Sequence, residues 1–347
     1  MPKFIPAGCK FWPEQATALK PSDVIKRYED GFAGVWFDPD ARERFRQLIL
    51  DTGGVVNGAD AAHASGFAES GAGKLVAPFV YADLTFKGCW PGPGQERGSC
   101  VAHDTKNACL LSLICEIIAA KPDEITGVIE GIPDVPALGV NQGALSTEWL
   151  YWWRGYNGDG WNCDEAAAVA IKHGIMLRTK YDDLGIDLTK YSGGLEGKYG
   201  RTAPPDAMDA EGRKHLVRTA TELTTFEALR DFLHNGYGVS SCGSEGFSST
   251  RDENGVSKRQ GRWSHAMAYI GADDRDEVKQ IYGGPLVLVL NSWGVWNGGP
   301  RRIRGTSIDI PEGSFWARWS DLKARYHVAL SSVNGWQRKN LPDFMLI

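Results

Sequence analysis

Apolar and polar positions follow two different periods along the chain. After the polar loop Gln95-Glu96-Arg97-Gly98-Ser99, the residues Leu110, Leu111, Ile114, Ile117 and Ile118 recur at helical spacing. They predict a helix that begins at Cys100 and ends near Ala120-Lys121-Pro122, where proline cannot continue it. The same period predicts helices after Ser22, from Pro39 (Phe45, Leu48 and Ile49 on one face), after Ser146, and from Asp164 to Gly174. A last one runs from Thr225 to His234. From Tyr237 the period shortens. Residues 237–241, 266–270, 285–290 and 314–318 read as strands. Residues 75–84 read as extended, 61–74 as an Ala/Ser/Gly-rich linker, 122–143 as a loop and 182–220 as a long polar insertion. The expected class is α+β, with a mainly helical first half and a mainly antiparallel second half.

Composition narrows the function. Hydrophobic residues make up 42% and charged residues 23% of 347, the balance of a folded globular protein. A net charge of -5 with no strong basic cluster argues against nucleic-acid binding; Arg301-Arg302-Ile303-Arg304 reads as a solvated loop. No apolar segment follows Met1-Pro2-Lys3, and the aliphatic run 286–290 is too short to span a membrane. Seven scattered cysteines do not read as a disulfide framework. Cys9, Cys89, Cys163 and Cys242 receive no role, Cys109 and Cys115 read as core, and the expected compartment is the cytoplasm or a particle assembled there.

The chemistry centres on Cys100. A thiol at a helix start meets unpaired N–H groups and the positive end of the helix dipole, which favour the thiolate. A cysteine nucleophile also needs a base and a group that holds the base. His265 opens one strand and Asn291 follows the end of the next, so antiparallel pairing can bring them to one end of a sheet. Two competing motifs fail. Gly71-Ala72-Gly73-Lys74 lacks the first glycine of a phosphate loop (Ala68) and its hydroxyl residue (Leu75). Cys100 and His103 have no second ligand pair, so no metal or other cofactor is expected; His103 reads as a helix-surface or supporting residue.

Gln-x-x-Gly-Ser-Cys before a helix, Ser264-His265-Ala266 at a strand and Asn291-Ser292-Trp293-Gly294 after one resemble the papain-like cysteine peptidases. The resemblance covers about residues 75–330; Leu145-Ser146, the 155–160 loop and His173-Gly174-Ile175 fall in family order. It implies a two-lobed fold with the site in the cleft between a helical lobe (about 99–190) and a barrel-like β lobe (about 220–335) of a domain spanning 75–347. It implies Cys100 as nucleophile in an ion pair with His265, Asn291 as the residue fixing His265, and Gln95 with the Cys100 N–H as the oxyanion hole. Trp293 would shield the His265–Asn291 bond, and Gly158 and Asp159 would lie along the substrate backbone. The partner implied is a protein or peptide substrate.

Departures from the family shape further expectations. Gln95 lies one residue nearer the cysteine than the family spacing, and Val101 replaces an aromatic residue. Arg97 and Tyr156 occupy the positions of a family disulfide, and Asp159 replaces a glycine, which would add charge beside the substrate path. Residues 1–74 form an extension that either covers the cleft or docks on the core or on a larger assembly; Arg42-Glu43-Arg44-Phe45 has the flavour of an inhibitory pro-segment. The alternatives are a structural or virion-associated protein retaining the fold, and a cell-wall peptide hydrolase or acyl transferase.

Overall fold

A computed structural model describes residues 35–36, 39–51, 58–64, 66–85, 94–120 and 145–331. The expected helix after Ser22 and the loop at 122–143 lie outside the described residues. The first half holds β1 (Val35–Trp36), α1 (Pro39–Asp51), α2 (Gly58–Ala64), β2 (Leu75–Val76), α3 (Phe79–Thr85) and α4 (Cys100–Ala120). Then come α5 (Thr147–Trp152), β3 (Trp161–Asn162), α6 (Cys163–Lys172), β4 (Lys180–Tyr181), β5 (Ile186–Asp187), α7 (Gly193–Tyr199) and α8 (Asp206–Gly212). The second half holds β6 (Ala220–Glu222), α9 (Phe226–His234), β7 (Gly238–Arg251), β8 (Ser257–Asp273), α10 (Asp276–Tyr282), β9 (Leu286–Leu290), β10 (Ser314–Arg318), α11 (Trp319–Leu322) and β11 (Tyr326–Leu330).

The sheet runs β10-β9-β8-β7-β11-β6, antiparallel throughout, with β2 added to the end of β8. Its strands are covered on both faces, which explains the unbroken apolar run of β9. Leu286, Leu288 and Leu290 join the core shared with α4, whereas Val287 and Val289 join the core under α9, with Leu229, Phe232 and Leu233. Each such side chain contributes about 1.5–3 kcal/mol on burial. The barrel-like closure expected of this half is not seen among the described residues. β10 and β6 are the two ends of an open sheet, and among the described residues no ladder joins them. The helices on its two faces already bury its apolar residues.

α4 is buried on every side from Cys100 to Cys115, so it is a central core helix lying directly on the sheet. Gly238 permits this approach: a Cβ there would lie 2.2 Å from the Ala108 carbonyl oxygen. Ser146 caps α5 as its sequence predicts, accepting from Trp149 N–H (3.3 Å), and Thr225 caps α9 by accepting from Ala228 N–H (3.2 Å). The tryptophans of α5 serve packing: Trp149 donates to the Gly174 carbonyl (2.8 Å), Trp152 stacks on Tyr199 and Trp153 on His173.

Four expectations are corrected. Residues 66–74 are a tightly held turn, not a loose linker: Glu69 N–H and Gly71 N–H donate to the buried Asp231 carboxylate (2.8 and 3.1 Å). Residues 75–84 are a two-residue strand followed by helix α3, because the strand needs only β8 as partner and Phe79 and Ala82 are buried at helical spacing. The polar stretch 182–220 contains α7 and α8, short helices whose few buried residues, Gly193, Glu196 and Gly197 in α7 and Met208 and Gly212 in α8, give no apolar helical period. Finally, Cys163 and Cys242 form a disulfide (Cα–Cα 6.6 Å) that joins the start of α6 to β7. The two are 79 residues apart and meet only through helix-on-sheet packing, so an odd, scattered count concealed them. Closing such a loop is worth about 4 kcal/mol. It also removes the cysteine argument for a reducing compartment. Among the described residues no helix is long and apolar enough to cross a membrane.

Candidate active site

β7, β8 and β9 bring two of the three expected residues together. His265 pairs across the ladder with Gly243, and Ala268 pairs with Leu290, so the chain leaving β9 returns alongside the start of the regular β8 ladder. Asn291 follows immediately, and His265 Nε2–H donates to Asn291 Oδ1 at 2.8 Å. That bond fixes the tautomer. Nε2 carries the proton, and Nδ1 keeps its lone pair for another partner. Trp293 covers the pair, its ring 4.5 Å from that of His265, with Trp263 and Trp296 packed behind it.

α4 supplies Cys100 from the other side. The backbones of Ala266, the residue after His265, and of Val101 at the helix start act to lower the pKa of its thiol. Burial nevertheless dominates its acidity. Cys100 has no exposed surface, and burial pushes its pKa up to about 12, with Asp104 adding to the rise and Arg325 opposing it. His265 is pushed down to about 3, first by burial and then by Arg325, against the pull of Asn291. Both shifts favour the neutral thiol and neutral imidazole in the enclosed site, whereas the helix start alone had pointed to a thiolate. Removing charge from water outweighs two N–H dipoles when nothing aqueous reaches the sulfur.

Gln95 is joined to the same cluster. Its N–H donates to the Ser292 carbonyl (2.7 Å), the Ser292 hydroxyl donates to Gln95 Oε1, and Gln95 Nε2 donates to the Arg97 carbonyl (2.6 Å). The shorter approach to the cysteine is thus accommodated by docking the loop on Asn291-Ser292-Trp293-Gly294. Gly94 lies so close that a Cβ would fall 2.8 Å from Gly294 N. Gly158 sits on an exposed turn with φ +101°. Asp159 does not present a free charge: Arg97 Nε donates to its Oδ1 at 3.0 Å. Of the two positions that take the place of the family disulfide, Arg97 is tied to the 155–160 loop by an ion pair with Asp159 and not through Tyr156.

Two contributors escaped the sequence reading. Arg325, its side chain fully buried, donates to the His265 carbonyl (2.7 Å) and to Ser241 Oγ (3.0 Å), and lies 3.4 Å from Glu245. His103, read as a surface or supporting residue, is 4% exposed and faces Glu196 across 3.8 Å. Among the described residues no group of three or more His, Cys, Asp or Glu side chains is arranged to hold a metal.

No family model matches this sequence, and no curated protein matches it. Among solved structures the chain is similar to xylellain, a cysteine protease from Xylella fastidiosa, at 15% identity and a TM-score of 0.43, covering 70% of this chain and 84% of that one. It is similar to the cysteine protease and lectin-like domains of Cwp84, a surface-layer-associated protein of Clostridium difficile, at 17% identity and 0.42, over 70% of this chain and 49% of that one. A third is digestive procathepsin L2 proteinase from Tenebrio molitor larval midgut, at 13% identity and 0.39, over 72% and 66%.

Proposed function

We propose that the chain is a cysteine peptidase of papain-like type that cleaves peptide bonds through a Cys100 thioester. The observation that carries this reading is the His265–Asn291 bond, with the backbone of the next residue, Ala266, near enough to the Cys100 thiol to lower its pKa. In the reaction, His265 Nδ1 takes the thiol proton as the sulfur attacks the substrate carbonyl carbon. The oxyanion is held by the Cys100 N–H and by Gln95 Nε2, which turns from the Arg97 carbonyl to reach it; one such donor is worth about 3–4 kcal/mol. The imidazolium then gives its proton to the leaving amine. Water, deprotonated by His265, hydrolyses the thioester and regenerates the thiol. Asn291 holds the ring throughout, Trp293 keeps water from that bond, and Gly158 and Asp159 border the substrate.

The described part of residues 1–74 acts in this reading as a docked accessory segment. Arg46 pairs with Glu222 at 2.8 Å, and Phe45 is buried. The Cys163–Cys242 bridge suits an oxidising surrounding. A non-catalytic scaffold is the second reading, and enclosure favours it: Cys100 is 0%, Asn291 1% and His265 3% exposed. An electrophilic peptide probe separates the two. The native protein should be labelled at Cys100 and Cys100→Ala should not; labelling that persists in Cys100→Ala, or its absence from the native protein, removes the peptidase reading.

A further inference from the structure

Behind the nucleophile, three buried polar atoms converge without hydrogen-bond partners: Ser99 Oγ, His103 Nε2 and Glu196 Oε1. Ser99 and His103 flank Cys100 at the start of α4, and Glu196 comes from α7 with no exposed surface. The contact between these elements is built from both sides. Glu96 accepts from Gly193 N–H at the start of α7 (2.9 Å), and Tyr191 O–H donates to Glu196 Oε2 (3.0 Å) while accepting from Glu96 N–H (2.9 Å). Glu196 Oε1 is left facing His103 Nε2 at 3.8 Å, and the Ser99 hydroxyl interacts with the same carboxyl.

We propose that Glu196 is a positioning residue that acts as a neutral acid, its Oε1–H closing the 3.8 Å gap to His103 Nε2 and so fixing the Ser99–Cys100 turn for attack. This rests on the peptidase reading and adds to it a residue that never touches substrate. A neutral carboxyl fits its surroundings. The charged or titratable groups around it are His103 and Lys106 of α4, Glu148 of α5, Arg178, Tyr191, and Glu96 and Arg97 of the loop. Arg178 is already engaged by Glu148 at 2.8 Å, and Lys106 is buried. Burial, then Glu148, raise the Glu196 pKa to about 8, and burial holds His103 well below its ordinary value, so the ring offers an acceptor and not a second proton. Ionised, Glu196 would add an anion behind a sulfur that Asp104 already disfavours as thiolate.

The test uses the rate of Cys100 alkylation by iodoacetamide in the full-length native protein, followed by mass mapping from pH 6 to 9.5. Glu196→Gln keeps a permanent N–H donor. At pH 6 its rate should lie within about twofold of wild type, and by pH 9.5 it should exceed wild type by about tenfold, one pKa unit of lost repulsion. Glu196→Ala should be slowed about tenfold already at pH 6. A Glu196→Gln to wild-type ratio that stays flat across the range overturns the proposal, even if the melting temperature falls, because a purely structural role moves stability without the pH dependence. Failure of Cys100 to react in the wild-type protein overturns the peptidase reading and this inference together; reaction with a flat ratio overturns this inference alone.

Discussion

The two halves of the molecule hold their share of the site by different physics. The half that presents Cys100 buries charge: Glu148, Arg178, Glu196, His103 and Lys106 are all less than a tenth exposed, and His103 Nε2 and Glu196 Oε1 lack hydrogen-bond partners. The half that presents His265 and Asn291 also buries charge but pairs it, Arg230 with Asp231 and Asp274 and Arg325 with Glu245, on a ladder whose strands bury alternate residues in two apolar cores. Arg325 has every nitrogen engaged, by Ser241, Glu245 and the His265 carbonyl. Backbone pairing therefore fixes His265 geometrically, whereas in the proposal made above the position of the Cys100 turn depends on the protonation of Glu196. The sheet half should respond to packing and charge deletion, and the helical half to pH.

The largest expected effect lies in the sheet half. Arg325→Met leaves Glu245 buried and unpaired and removes the donor on the His265 carbonyl, so it should cost about 3–5 kcal/mol in denaturant unfolding. Adding Glu245→Met should recover most of that loss. If the double variant is no better than the single one, the cation matters for more than its own partner, and the ladder is less self-sufficient than the comparison holds. Next in size is the covalent link between the halves. Cys163→Ser with Cys242→Ser should destabilise the protein by about 2–4 kcal/mol by freeing a 79-residue loop of the unfolded chain. The loss should be matched by reducing the native protein with a dithiol and measuring its unfolding.

The same contrast explains what could be read before the fold was known. The strands were legible because Leu286–Leu290 and Ala266–Ile270 are unbroken apolar runs, as burial on both faces requires, and the triad candidates because Cys100, His265 and Asn291 each adjoin an apolar segment. Helix α4 was legible for the same reason. Glu196 and Arg325 were not, because a charged residue in a polar stretch has the same local pattern whether it is solvated or buried. Only the packing of α7 on the 95–99 loop, or of β11 beside β7, distinguishes the cases. The Cys163–Cys242 bridge was hidden likewise, since its geometry exists only across the contact between α6 and the sheet. Burial of the thiol, which reverses the effect expected from its helix start, is a property of everything packed around it.

The smallest effect comes from the ion pair Arg97–Asp159, and it sharpens the comparison most locally. Both side chains are about a quarter exposed (27% and 25%), so solvent screens their attraction. A double-mutant cycle with Arg97→Ala and Asp159→Ala should give a coupling energy of about 0.5–1 kcal/mol that shrinks further in high salt. The pair lies between Gly98, whose carbonyl accepts from Gly160 N–H at 2.9 Å, and the exposed turn at Gly158. A coupling near this value, with unchanged Cys100 alkylation, means that the 155–160 loop is held by its backbone contacts and that Asp159 merely compensates Arg97. A coupling above about 2 kcal/mol, or a marked loss of Cys100 reactivity in Asp159→Ala, means instead that the helical half anchors the nucleophile loop through this pair as well as through Glu196. The dependence on buried charge would then extend to the rim of the site.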